Sequence, residues 1–413
     1  MFWTIRGADC EAVNPRRVVQ TWVNQPSVLR LTGGADFAKS PAARISGAGA
    51  ARSPRGIEAP APADARRRAD TRSQDPMPSG EENAAPPAGT GLPSSRKAFA
   101  ICREDDAIPP ELAGAVVALG NFDGVHRGHR ALIEAVRHEA GSRPAAVLTF
   151  EPHPRAFFAP DQPMFRLSGR RAKEIVFARL GLDGLIVRRF DAALAGTSAQ
   201  GFVEGWLRDQ LGVSGVVIGH DFHFGRGREG SPGTLADLCA QAGIGCRIVP
   251  AVSADPGDAP ISSSAIRAAL AAGDVARANA LLGYRWFVLA EVRHGDKRGR
   301  TLGYPTANLA LDACGLAHGI YAVRVRLADG NLHPGVASYG RRPTFDDGAP
   351  LLEVHLFDFK GDLYGQEVAV ELLAYLRGEE RFASAEALVA QMDVDSMQAR
   401  AAIVGDRVPS MLG

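Results

Sequence analysis

A chain of 413 residues with 46% apolar side chains can bury more than one core, and its length favours two or three domains. Lys and Arg total 47 against 46 for Asp and Glu; a formal charge of +1 excludes a globally electrostatic partner such as nucleic acid or an anionic membrane, so any phosphate binding must be local. Cys10, Cys102, Cys239, Cys246 and Cys314 form no CxxC pair and read as thiols in a reducing compartment. With no run near the ~20 apolar residues of a membrane span, and no secretory signal in the first residues, the expected location is cytoplasmic.

From about Asp36 to Arg96 the chain is dominated by Ala, Pro, Gly, Ser and Arg, with too few large apolar side chains to offset the entropy of ordering. Residues 1–96 are therefore expected to be a disordered low-complexity leader. Its Arg-rich, acid-poor first part has the composition of an organellar transit peptide, but the preferred reading is a dispensable leader with Met77 as an alternative start. From Lys97 onward, AVVAL (115–119), AAVLTF (145–150), GLIV (184–187), GVVIG (215–219) and CRIVPAV (246–252) read as buried strands. Helix candidates lie between them: HRALIEAVRHEA with Leu132, Ile133 and Val136 on one face, and RRAKEIVFARLG and FVEGWLRDQLG with Ser168 and Ser198 as N-caps. This alternation predicts an α/β domain with a parallel sheet covered on both faces.

Two short helices, SSSAIRAALAAG and DVARANALLG, follow. Beyond Tyr284 the runs WFVLAEV, GIYAVRVRL, LHPGVASY, LLEVHLFDF and EVAVELLAYL alternate like a small antiparallel sandwich or barrel. A last helix is expected from Ser384, with Leu388, Val389 and Met392 covering an open barrel end.

The first chemical constellation is GNFDGVHRGH, Gly120 to His129, at the end of the AVVAL strand. Ligands collect at the carboxyl ends of parallel strands, and a following helix offers free N–H groups to phosphate. His126 and His129 are spaced to donate hydrogen bonds to one α-phosphate, and glycines such as Gly120 and Gly128 let it approach the backbone. Two other readings compete: a metal pair, which lacks a third ligand nearby and the HExxH pattern, and plain helix capping. Farther on, ISSSAIR (261–267) brings Ser263, Ser264 and Arg267 to a helix mouth, as phosphate donors or as caps. TFEPHP and GHDFHFGRGREG should leave the sheet on the same edge as His126, and Phe150, Phe222 and Phe224 read as core or as a stacking platform for a flat ring.

These residues resemble the HxGH nucleotidyltransferases, in the extended GxFDGVHxGH form that is similar to bacterial FAD synthetases; ISSSAIR resembles their SSTxIR element, with Ser264 where threonine is usual. Ser231 and Pro232 stand after Gly230 where an acidic residue is common. The resemblance implies a Rossmann-like nucleotidyltransferase domain over 97–270. His126, His129 and Arg267 would be catalytic; Gly120, Phe122, Asp123, Gly128, Ser263 and Ser264 would line the nucleotide site, and Asp221 the flavin side. Asn121 and Asp123 are read as ordering the loop.

The second constellation, VRHGDKRGRTLGYPTANL (292–309), sets basic residues and glycines around a PTAN tetrad without a Walker A or GxGxxG pattern. Gly295, Gly299 and Gly303 would allow close backbone approach to a polyphosphate, Lys297, Arg298 and Arg300 would supply charge, and Thr306 with Asn308 could hold Mg²⁺; the plain alternative is a solvated turn. GRGRTLGYPTAN, GIYAVRV, GVASYGRRPTF and LEVHLFDFKGDLYGQ resemble the successive motifs of riboflavin kinase, with ASYG in place of the more frequent ANIG.

That resemblance implies a helical linker over 271–283, an antiparallel six-stranded β-barrel with a C-terminal helix over 284–405, and a tail over 406–413. It makes Glu353 the base on the ribityl hydroxyl, Pro305 part of the nucleotide site, and Thr306 and Asn308 the Mg²⁺ ligands, in a pocket at the barrel mouth. Together the two resemblances imply bifunctional flavin cofactor synthesis with riboflavin, FMN and ATP as partners, ATP as co-substrate, no nucleic acid or membrane, and room for a transient homo-oligomer. The alternative is a riboflavin kinase whose first domain transfers another nucleotide or senses flavin.

Overall fold

The structure is a computed structural model that describes residues 98–104, 106–255, 257–295, 299, 303–311, 314–341 and 350–413. The expected leader and Lys297, Arg298 and Arg300 lie outside the described residues.

The first sheet contains β1 (Ala100–Arg103), β2 (Val116–Leu119), β3 (Ala145–Glu151), β4 (Gly184–Arg189), β5 (Gly215–Gly219) and β6 (Gly245–Val249). It is parallel throughout, in the order β1-β4-β3-β2-β5-β6. Every residue of β2 is buried because both faces are covered. Val116 and Ala118 join one core with α1 (Arg127–Ala140) and α3 (Arg170–Arg179); Val117 and Leu119 join the other with α6 (Pro232–Gln241). The winding reverses at β2, which pairs with both β3 and β5, so the crevice at its carboxyl end is the place a ligand would enter. The short strand β1 is not among the expected strands, and the short helices α2 (Pro154–Phe158) and α4 (Ala192–Ala195) were likewise not expected.

Two local expectations change. Ser168 is not the cap of α3; Gly169 is, and the buried Ser168 N–H instead donates to Asp123 Oδ1 at 3.0 Å. Ser198 does cap a short turn, α5 (Ala199–Gly201), but the following Phe202–Gln210 winds as a π-helix that buries Phe202, Val203 and Leu207 against the sheet. Ser231 caps α6, accepting from Thr234 N at 3.2 Å, with Pro232 at its first turn.

Helices α7 (Ser263–Ala271) and α8 (Val275–Leu282) lead into six antiparallel strands: β7 (Phe287–Arg293), β8 (Ala307–Ala310), β9 (Gly319–Arg326), β10 (Leu332–Arg341), β11 (Pro350–Leu356) and β12 (Glu367–Arg377). They close as β10-β11-β8-β7-β12-β9. The last helix, labelled α9 here (Ala385–Gly405), is capped by Ser384 as expected. It runs along the barrel wall rather than over an open end: Ala399 and Ile403 pack with Ala322, Phe357 and Leu373. Among the described residues no helix is long and apolar enough to cross a membrane. Cys102 and Cys239 are buried and Cys246 and Cys314 half-buried, all as free thiols.

The junction between sheet and barrel is polar where it is most buried. Asn279 is fully buried on α8; its Nδ2 donates to Leu372 O at 3.0 Å and its Oδ1 accepts from Trp286 N at 2.7 Å. Trp286 Nε1 in turn donates to Leu167 O at 2.8 Å. An Asn279→Leu substitution keeps the volume but strands the Trp286 N–H and the Leu372 carbonyl, at a cost of roughly 2 kcal/mol or more. Calorimetry should show a thermal midpoint several degrees lower; an unchanged midpoint would show that this bond pair is dispensable.

Candidate functional site

β2 delivers the chain to Gly120 at the reversal point of the sheet. Phe122 turns there with a left-handed φ of 50° and is fully buried against His129 and Phe177, at ring separations of 5.0 and 5.5 Å. For a bulky residue this backbone costs roughly 1 kcal/mol, which the surrounding contacts must offset. The next residue, Asp123, is a buried carboxylate that takes the Ser168 N–H on one oxygen and Arg267 Nη2 on the other. Its backbone carbonyl accepts from Ser263 Oγ at 2.8 Å, and Arg267 Nε donates to Phe165 O at 2.6 Å. Asp123 and Arg267 thus fix the loop that carries the histidines, and Ser264 stays exposed beside them while Ser262 caps α7.

His126 is the N-cap of α1: its Nδ1 accepts from His129 N at 3.3 Å. The two imidazoles stack at 3.7 Å with their planes 17° apart. Gly128 leaves the stack room, because a Cβ there would press on the His126 ring at 3.1 Å. Burial pulls His126 down to about 4, against the opposing pull of Asp123 and Asp221. Burial likewise holds His129 well below its ordinary value, with His126 and Lys173 adding to it. The cleft therefore presents neutral imidazoles, and His129 Nδ1 is buried without a partner among the described residues. Asp221 is largely exposed after β5, with its oxygen 4.0 Å from His220 Nδ1. Phe150 and Phe224 are buried core, and Phe222 stacks on Phe224 at 5.9 Å.

Lys173 and Arg166 of this cleft were not expected, and Glu151 and His153 were expected only as part of the TFEPHP segment. Lys173, 2% exposed, donates to Asn121 O at 2.9 Å and to Glu151 at 3.3 Å, and Arg166 grips Glu151 with two bonds of 2.6 and 2.9 Å. Burial alone would raise the Glu151 carboxyl, but Arg166 and Lys173 hold it below the usual carboxylate range. His153, next along from β3, is pulled by burial to about 4; Asp123 opposes the shift and Lys173, Arg166 and Arg267 add to it. The available signal was a lysine on the apolar face of α3, between Ala172 and Val176, Phe177.

On the barrel, Glu353 of β11 faces Asn308 of β8 on one side and Ser338 of β10 on the other. Leu352, Val354 and Leu356 point inward with Leu309, Ala337 and Tyr339, so Glu353 points outward. The pocket that Glu353 lines is consequently not at the barrel mouth. It is a cleft on the outer wall beneath α9, lined by Tyr304, Thr306, Ile320, Val336, Ser338, Glu353, Met392 and Asp395. Among the described residues the interior is packed with buried apolar side chains, Tyr321, Val323, Tyr339, Leu352 and Leu372 among them. Arg377 holds Asp395 through two bonds of 2.7 Å, with Gln391 on the same carboxylate at 3.0 Å.

The Tyr304 hydroxyl donates to Asp393, tying the segment before β8 to α9, and His355 Nδ1 lies 2.9 Å from Pro305 O. Gly295 packs on the Asn308 amide, where a Cβ would come within 2.3 Å of Nδ2, and Gly299 packs on the Tyr304 carbonyl. Gly303 and Pro305 are exposed at the cleft edge. Asn308 is the cross-strand partner of Glu353, and Thr306, one residue before β8, lines the same cleft as Glu353, which makes a set of hard oxygen donors of the kind Mg²⁺ accepts.

Residues 108–265 match the family described as FAD synthetase and residues 282–403 the family described as riboflavin kinase. The bifunctional riboflavin kinase/FMN adenylyltransferase of Escherichia coli (strain K12) is 41% identical over 292 residues, covering 70% of this chain and 92% of its own. The protein of that name from Bacillus subtilis (strain 168) is 36% identical over 312 residues, covering 73% and 97%. A crystal structure described as macrolide-efflux protein from Streptococcus pneumoniae is similar at a TM-score of 0.64 and 31% identity, covering 73% of this chain and 98% of that one.

An imidazole whose folded pKa lies below its unfolded value withholds a proton that the unfolded chain takes up. Its contribution is intact above pH 6.5 and is lost as pH falls from about 6.5 toward 4. His126→Gln should therefore shrink the drop in thermal midpoint between pH 7 and pH 5, and NMR of the native protein should show no His126 titration above pH 5.

Proposed function

The chain belongs to the family of bifunctional riboflavin kinases/FMN adenylyltransferases, and from that premise we propose how its two clefts divide the work. The enzyme transfers the γ-phosphoryl of ATP to riboflavin, giving FMN, and then joins FMN to AMP from a second ATP with release of pyrophosphate. We assign the second reaction to residues 97–270 and the first to 284–405. The observation that carries this division is the separation of the two residue sets: the stacked His126–His129 pair sits at the edge of the parallel sheet, and Glu353 on the outer wall of the barrel.

In the kinase cleft Glu353 accepts the proton of the ribityl 5′-hydroxyl as that oxygen attacks, since an alcohol is a weak nucleophile at neutral pH. Thr306 and Asn308 would hold Mg²⁺, which when bound would supply positive charge to offset that of the ATP phosphates. In the adenylyl cleft the attacking group is the FMN phosphate, already an anion, so no strong base is required. His126 and His129, neutral and preorganised, donate N–H groups to the α-phosphate as charge grows on it, and Arg267 and Ser263 hold the loop and the triphosphate side. The buried Lys173–Glu151–Arg166 network keeps the Asn121 carbonyl, and with it the turn before the histidines, in place. The free thiols fit a reducing compartment, and the one assigned is the cytoplasm.

Incubation with riboflavin, ATP and Mg²⁺ followed by chromatography should yield FMN and then FAD. Accumulation of FMN alone would favour a kinase whose first domain has another task. His126→Ala should lower FAD formation by about a hundredfold or more and spare FMN formation. Glu353→Ala should lower FMN formation by a similar factor and spare FAD formation from supplied FMN. Equal loss of both reactions in either variant would overturn the division.

A further inference from the structure

Ser338 is a hydroxyl in the wall of the kinase cleft, buried and without a hydrogen-bond partner among the described residues. Buried polar groups in folded proteins are almost always paired, and an orphan lining a ligand cleft points outward to what fills the cleft. Two other polar groups there are already taken: Tyr304 by Asp393, and Asp395 by Arg377 and Gln391. The remaining wall, Ile320, Val336 and Met392, is apolar and suits a flat ring.

Position decides what Ser338 can reach. It is the direct cross-strand partner of Glu353 in the β10–β11 pair, and side chains so placed stand about 5 Å apart on one face. A substrate whose reacting hydroxyl lies against Glu353, and which carries further hydroxyls along the same chain, brings one of them opposite Ser338. A serine hydroxyl both donates and accepts, which matches an alcohol.

We propose that Ser338 is a substrate-binding residue of the kinase reaction, taking a ribityl hydroxyl of riboflavin other than the one phosphorylated. This rests on the reading of the cleft as the riboflavin site. A cleft that bonds a substrate hydroxyl discriminates against the analogue lacking it, so Ser338 also makes the enzyme selective for the full polyol chain.

The test is Ser338→Ala, with riboflavin and its 2′-, 3′- and 4′-deoxy analogues as substrates. Removing an orphaned hydroxyl should leave the thermal midpoint of the substrate-free protein unchanged or higher. The KM for riboflavin should rise roughly fivefold to tenfold, the worth of one hydrogen bond, with kcat within about twofold. The wild-type enzyme should penalise one deoxy analogue, and the variant should treat that analogue and riboflavin alike. FAD formation from FMN serves as the internal control and should not change. An unchanged KM, equal penalties in both proteins, or a lowered midpoint with parallel loss of both reactions would overturn the role of Ser338. Wild-type protein inert toward riboflavin would instead overturn the functional reading, and this one with it.

Discussion

The buried carboxylate of Asp123 is the knot on which the adenylyl cleft depends. One oxygen accepts the Ser168 N–H and the other the Arg267 guanidinium, while the backbone of the same residue accepts from Ser263. Two segments far apart in sequence are thereby drawn to the end of one strand. A carboxylate so deeply placed is tolerable only when its lone pairs are taken by charge-assisted donors, and the fold supplies them from α7 and from the turn before α3. The left-handed Phe122 and the stacked imidazoles persist because this knot leaves the loop no other path.

The barrel solves its problem by alternation. Along β11 the even-numbered Leu352, Val354 and Leu356 complete the interior, and the odd-numbered Glu353 is left for chemistry on the outside. The helix α9 then gives the outer wall a roof, so that a carboxylate on a strand face becomes the floor of a cleft. Two unlike folds thus arrive at the same condition, a reactive group held by rigid backbone at the boundary between a packed core and an open space.

Much of this was legible in the residues. GVVIG coincides with β5, the other expected parallel strands agree within a few residues, and Ser384 caps the helix it was expected to cap, while Ser198 caps only the short turn before its expected helix. What failed was long-range. Ser168 reads as a cap because a serine precedes a helical pattern, yet its N–H is claimed by Asp123, 45 residues away. Periodicity could not tell the π-helix at Phe202–Gln210 from an α-helix, since both bury the same apolar residues. LEVH announced a charged residue in an apolar run, but only the closed barrel decides which parity faces inward. The role of Glu353 itself came from family resemblance, and Lys173 was hidden within an ordinary amphipathic helix.

The alternation in β11 has an evolutionary consequence. Neighbouring residues of one strand live under unrelated constraints, so the barrel's filling can drift through hydrophobic exchanges while the catalytic wall stays fixed. Insertions are another matter: one extra residue ahead of Glu353 would not displace the carboxylate slightly but turn the cleft inside out, sinking the charge among leucines and valines. Length changes in this family should accordingly collect in the connections and spare the strand.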